Sequence, residues 1–184
     1  GAVVVDLSSL WAGPLCANVL GLGGARVIKV ESTIRPDGAR LGPPAFYDLL
    51  HAGHESVALD LRTPAGQQSL RDLLQRADVV IEASRPRALA AMGASFAAMH
   101  AAGWRGRWVS ITGHGGEGDA AQRVAFGDDA AVAGGLVASD ADGRVFCGDA
   151  IADPATGLLA ATVVLQALAD GVSGHFGVSL AGTA

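Results

Sequence analysis

Short runs of β-branched and apolar residues recur along the chain, each followed by a longer segment with helical spacing, and this alternation limits the fold more than any other feature of the sequence. Val3 to Leu7, Arg26 to Glu31, Ser56 to Leu61, Asp78 to Glu82 and Trp108 to Thr112 read as five strands. Most are apolar almost throughout, as strands buried on both faces must be. The class is therefore α/β: a Rossmann-like, open, mostly parallel sheet with helices on both faces. The connections agree. One helix begins near Pro14 and ends at Gly23-Gly24. Thr63 is placed to cap another, with Pro64 in its first turn and Leu70, Leu73 and Leu74 on its apolar face. Short helices are expected around Ala88 to Met92 and Ser95 to Ala101, whereas Ser32 to about His54 has no clear period and reads as a surface excursion.

Beyond Thr112 the chain changes character. A Gly-rich loop, Gly113 to Gly118, leads to a small-residue stretch, Phe126 to Leu136, and an acidic turn, Ser139 to Arg144. Asp153-Pro154 then opens the longest helix, to about Ala169, and Val178-Ser179-Leu180 reads as a last short strand. With 184 residues this is one domain. Aromatics are 5%, the net charge is −5, and the basic residues are scattered arginines plus Lys29, so a nucleic-acid partner is excluded. No apolar run reaches the roughly 18 residues of a membrane span and no basic leader precedes Val3; a cytoplasmic protein without a membrane partner is expected. Cys16 and Cys147 lie too far apart to suggest a disulfide framework, and both read as small buried fillers. The histidines lack metal-ligand spacing apart from the weak pair His51 and His54, which fits plain loop polarity, so no metal is expected.

A strand-turn-helix opening invites a dinucleotide reading, and Glu31 ends the second strand where a ribose-binding acid would stand. The first turn opposes it. Ser8-Ser9-Leu10-Trp11-Ala12-Gly13-Pro14 carries one glycine where the pyrophosphate fingerprint requires three. Glu31 is then a surface carboxylate at a strand end or a partner for a nearby arginine. Asp153, at the start of the longest helix, lies where free N–H groups favour an ionised carboxylate. On the residues alone it reads as a helix cap.

Strings in order along the chain resemble the class III CoA-transferases, the CaiB/BaiF family that includes formyl-CoA transferase, carnitine CoA-transferase and α-methylacyl-CoA racemase. They are Val5-Asp6-Leu7 with Trp11-Ala12-Gly13-Pro14, Gly24 to Glu31, Ser56 to Gly66, Ala77 to Glu82 with Arg85-Pro86 and Met92-Gly93, Val109 to Gly113, and Ile151 to Gly157. The resemblance implies that Asp153 is the nucleophile that carries CoA, as substrate, from an acyl-CoA to a carboxylic acid. It implies CoA contacts at Leu10, Trp11, Leu59, Ala83, Ser84, Arg85, Met92 and Thr112. Departures from the family pattern are Ala83-Ser84 in place of Asn-Phe, Ser32 in place of an arginine and Ala91 in place of a basic residue; Arg35, Arg40, Arg85 or Arg87 would have to supply the charge. The racemase branch has a histidine near Phe126-Gly127-Asp128-Asp129, where this chain has none, which favours transfer over racemisation or epimerisation. A third reading is a CoA-binding subunit without turnover of its own. Family members are considerably longer, so residues 1–184 correspond to the N-terminal part of the large domain, without the small domain and C-terminal return. A homodimer, or a complex with a chain supplying that half, is expected.

Overall fold

A computed structural model describes residues 1–184, the side chain of residue 86 excepted. β1 (Val3–Asp6), β2 (Arg26–Ser32) and β3 (Glu55–Leu59) are joined by α1 (Ala12–Leu22), then by a 3-10 turn (Gly38–Leu41) and α2 (Pro44–His51). α3 (Pro64–Gln75) leads to β4 (Val79–Glu82), and α4 (Pro86–Ala91) with α5 (Phe96–Ala101) lead to β5 (Arg107–Thr112). A second 3-10 turn (Gly118–Gln122), α6 (Gly127–Gly134), a hairpin of β6 (Val137–Asp140) and β7 (Gly143–Phe146), and α7 (Ala152–Ala169) separate β5 from β8 (Gly174–Ser179), which runs into α8 (Leu180–Thr183). The sheet order is β3-β2-β1-β4-β5-β8, with every neighbouring pair parallel.

Alternation along the strands builds two cores. Val4, Val79, Ile81, Val109 and Val178 face α1, α6 and α7, while Val5, Val30, Val80 and Trp108 face α3, α4 and α5. Thr63 caps α3 by accepting from the Gly66 amide at 3.0 Å, and Leu70 and Leu74 of that helix are buried, as its spacing predicts. Trp104 donates its indole N–H to the Ala77 carbonyl at 2.8 Å and meets Trp108 edge to face, which pins the second core to the sheet.

The placement of α7 is unusual. The β1–β2 crossover steps one way along the sheet over the α1 face; the β3–β4 and β4–β5 crossovers step the other way over the opposite face, so all three share one hand. The β5–β8 crossover steps in the second direction but uses the α1 face, and so has the opposite hand. Because about 98% of such crossovers are right-handed, the β5–β8 connection is the left-handed one. It lays α7 beside α1. Gly157 lets the two helices touch: a Cβ there would come 2.6 Å from the Ala12 carbonyl oxygen. α7 has the length and mean hydropathy of a membrane-crossing helix, but Thr156, Ala160, Ala161 and Val164 form a buried face against α1 and the sheet.

Several expectations change. The segment after β2 is not featureless, since it holds a 3-10 turn and α2, whose Leu50 is buried. Of the two readings of Glu31 the arginine partner holds, since it pairs with Arg40 at 2.7 Å, but the carboxylate is buried rather than on the surface. The acidic turn closes a two-stranded hairpin in which Asp140 accepts the Asp142 and Gly143 amides. The last strand starts at Gly174, and Leu180 opens a helix. Cys16 is buried as expected, but Cys147 is exposed just after β7, where no core exists to bury it.

Candidate functional site

Helices that join parallel strands run against them, so the N-termini of α1 and α7 lie at the carboxyl edge of the sheet. At that edge the chain leaves β1 towards β2 and leaves β4 towards β5, in opposite directions, and a crevice opens between the two connections. The predicted contacts Leu10 and Trp11 follow β1, and Ala83, Ser84 and Arg85 follow β4, so the structure brings these five together. Leu10 is exposed and stands in the left-handed region at φ 72°. Trp11 meets Phe46 edge to face with centroids 5.3 Å apart. The Ser84 amide donates to Glu82 at 2.7 Å, fixing the turn after β4.

The other predicted contacts are more scattered. Thr112 ends β5, one strand further on, where its hydroxyl accepts the Gly115 amide at 3.1 Å. Leu59 ends β3, two strands from β1 and so about 10 Å away. Met92 packs against the second core and its carbonyl accepts from Arg71, so its side chain belongs more to the core than to the crevice.

Asp153 is not a helix cap. α7 begins at Ala152, leaving Asp153 inside the first turn, where Pro154 removes no intrahelical bond. Its Oδ2 instead accepts the Gly127 amide at 3.1 Å. A bond in the opposite sense fastens the same two segments: the Ala150 amide donates to Asp128 at 2.7 Å, and Ala150 is held at φ 46°. Burial pushes the Asp153 carboxyl up to about 6, helped by the charges of Asp128 and Asp129 and opposed by the Gly127 hydrogen bond. A carboxylate raised by burial yet ionised at neutral pH is a poised nucleophile or base. Gly127 has no room for a side chain, because a Cβ would overlap the Ala150 carbonyl and approach Asp153 Oδ2 to 2.5 Å. Gly127→Ala is expected to lower stability by about 1–3 kcal/mol, measured by urea denaturation, and to displace Asp153.

Two clusters escaped the sequence reading. Beneath the β1–α1 turn, Lys29 lies between Asp6 and Asp37, all three inaccessible. A lone lysine in an apolar strand was the available signal. On the other face of the sheet the Ser110 hydroxyl donates to Glu82 and lies 2.8 Å from His175 Nε2, with Phe96 stacked on the His175 ring. Burial raises the Glu82 carboxyl and lowers the His175 imidazole. Only the register of β8 places His175 there.

The profile described as CoA-transferase family III matches residues 1–183. Over 178 residues the chain is 31% identical to human succinyl-CoA:glutarate CoA-transferase, covering 91% of this chain and 41% of the human protein. Over 86 residues it is 43% identical to human alpha-methylacyl-CoA racemase, covering 46% of this chain and 20% of the racemase. The crystal structure of a CAIB/BAIF family protein from Brucella suis superposes on the whole chain with a TM-score of 0.88 at 28% identity, and the chain covers 53% of it. The chain thus spans about half the length, or less, of the proteins it matches.

Proposed function

Since the chain belongs to CoA-transferase family III, we propose that its carboxyl-edge crevice binds an acyl-CoA and that Asp153 carries the CoA to a second carboxylic acid. The observation that carries this reading is the setting of Asp153: a half-buried carboxylate at a helix N-terminus, raised by burial to about 6 and beside the crevice of Leu10, Trp11 and Ala83–Arg85. Attack of the ionised carboxylate on the thioester carbonyl forms a mixed anhydride and expels the CoA thiolate. The thiolate then attacks the aspartyl carbonyl, releases the first acid and leaves an aspartyl-CoA thioester. The second acid attacks that thioester in turn, and its acyl-CoA leaves through the return of the same two steps. The Gly127 amide, already bonded to Oδ2, stands ready to donate to the oxyanion formed at the aspartyl carbonyl.

Further polypeptide, from the same protein or a partner chain, encloses this reaction. Two features support that: the matched proteins are longer, and Leu158, Leu159 and Leu165 are exposed along α7. Incubation with an acyl-CoA donor followed by intact and peptide mass analysis is expected to show a CoA adduct on Asp153. Absence of any adduct with a range of donors, in a protein that turns them over, would overturn the role. The similarity to the racemase supports a second reading, proton exchange next to the thioester. The charged partners of Asp153 are both carboxylates, Asp128 and Asp129, which suits transfer better. Deuterium uptake at the α-carbon without CoA exchange would favour the second reading.

A further inference from the structure

Lys29 is the only lysine of the chain and is 1% exposed. Its Nζ lies 2.9 Å from Asp37 Oδ2 and 3.4 Å from Asp6 Oδ2, and it donates to the Ser8 carbonyl. Burial alone would pull this ammonium down, but Asp6 and Asp37 outweigh it and hold Lys29 above its ordinary value. The second oxygen of each carboxylate grips the turn that follows β1. Asp6 Oδ1 accepts the Ser8 amide and hydroxyl, and Asp37 Oδ1 accepts the amides of Leu10 and Ala39 at 2.9 and 3.0 Å. His51 also faces Asp37, 3.9 Å away, but burial pulls it down to about 4, so at neutral pH it adds no charge. The far side is closed by Glu31, which accepts the Asp37 amide at 2.8 Å and pairs with Arg40.

The cluster acts at one strained residue. Leu10 adopts a left-handed conformation that is strained for a leucine, and its amide is bonded to Asp37. Its side chain rests on Gly38, where a Cβ would come 3.1 Å from Leu10 Cδ2. We propose that Lys29 and Asp37 are positioning residues that lock the β1–α1 turn and so present Leu10 and Trp11 to the bound acyl-CoA. They touch no substrate. The inference rests on the crevice being the acyl-CoA site, but the lock itself is readable without ligand.

The first measurement is amide exchange in the unliganded protein. The Leu10 amide, in an otherwise exposed turn, is expected to be protected at least tenfold beyond its Ser9 neighbour; exchange at the solvent rate would overturn the lock whatever the protein binds. The second compares Asp37→Asn, which keeps an acceptor for the Leu10 amide, with Asp37→Ala, which removes it. In Asp37→Ala the Leu10 protection is lost and the KM for acyl-CoA rises about tenfold, with kcat at saturation within twofold of the parent. Asp37→Asn retains most of both. Should Asp37→Ala not fold, Gly38→Ala is read in its place: its Cβ presses on Leu10 Cδ2 from 3.1 Å and shifts the turn without touching the ion pair, and KM rises while kcat holds. Equal KM in parent, Asp37→Ala and Gly38→Ala would overturn the positioning role. Protection at Leu10 in a protein that binds no CoA would instead overturn the proposed site and leave the lock standing.

Discussion

Replacing Asp153 by asparagine is expected to abolish CoA transfer while making the protein more stable at neutral pH. The carboxyl is raised from 3.8 to about 6 in the fold, the reverse of the usual shift for an aspartate. Between those two values the folded chain binds more protons than the unfolded one, so stability falls as pH rises through the window, and the full cost is present above about pH 6. A shift of this size corresponds to at most about 3 kcal/mol, and for a half-buried group about 1–3 kcal/mol is reasonable. Asparagine cannot ionise and still offers an oxygen to the Gly127 amide. Asp153→Asn should therefore raise the melting temperature at pH 7.5 and leave it unchanged at pH 4, where the parent carboxyl is protonated once folded. A melting temperature lowered at both pH values would show that the carboxylate stabilises the fold and is not held at its expense.

The second large effect has the opposite sign. Lys29→Met keeps the length of the side chain and removes the charge, leaving Asp6 and Asp37 inaccessible and facing each other without a cation. Breaking a buried pair in this way costs about 3–5 kcal/mol, a large share of the stability of an ordinary domain. The pH dependence follows from Asp37, whose carboxyl is held below its ordinary value: burial acts upward, but Lys29 and the amides of Ala39 and Leu10 outweigh it. That contribution is present above the unfolded-state value and is lost as pH falls through the folded one. The gap between parent and Lys29→Met should be widest near neutrality and narrow on acidification. Chemical denaturation of both proteins at pH 7 and at about pH 2.5, below the ordinary value of 3.8 for Asp37, checks this, and a gap independent of pH would refute the electrostatic account.

The strands could be read from sequence because burial on both faces leaves an unbroken apolar run, as in Val79-Val80-Ile81 and Val3-Val4-Val5. Less of the chain was readable where apolar residues do not sort by burial. In α2, Leu50 is buried while neighbouring Leu49 is 70% exposed, so no helical stripe stands out. In β8, glycines at 174 and 177 dilute the pattern that His175 and Phe176 begin. The site divides in the same way. The carboxylate of Asp153 could be located, since a helix start is a local signal, but its bond to Gly127 spans 26 residues and is set by how α6 meets α7. Asp37 looked like one polar residue in a polar loop, because its meaning lies in Lys29 and Leu10, which only the fold brings to it.

The left-handed β5–β8 connection also bears on the order in which the molecule assembles. Arg107 pairs with Gly174, so closing this connection gathers 67 residues into one loop before the β8 hydrogen bonds repay the entropy. Strands β1 to β5 need no part of that segment to pair, and neither do the turns bearing Leu10 and Ser84. The half of the crevice that carries Leu10 and Ser84 can therefore form while Asp153 is still unplaced, and docking of α7 and β8 is expected to be the last kinetic event. In pulse-labelled exchange during refolding, the amides of Ile81 and Val109 should gain protection before those of Phe176 and Val178. A population caught between those steps would have the turns after β1 and β4 formed and Asp153 unplaced, an order in which that carboxylate is installed only on a finished platform.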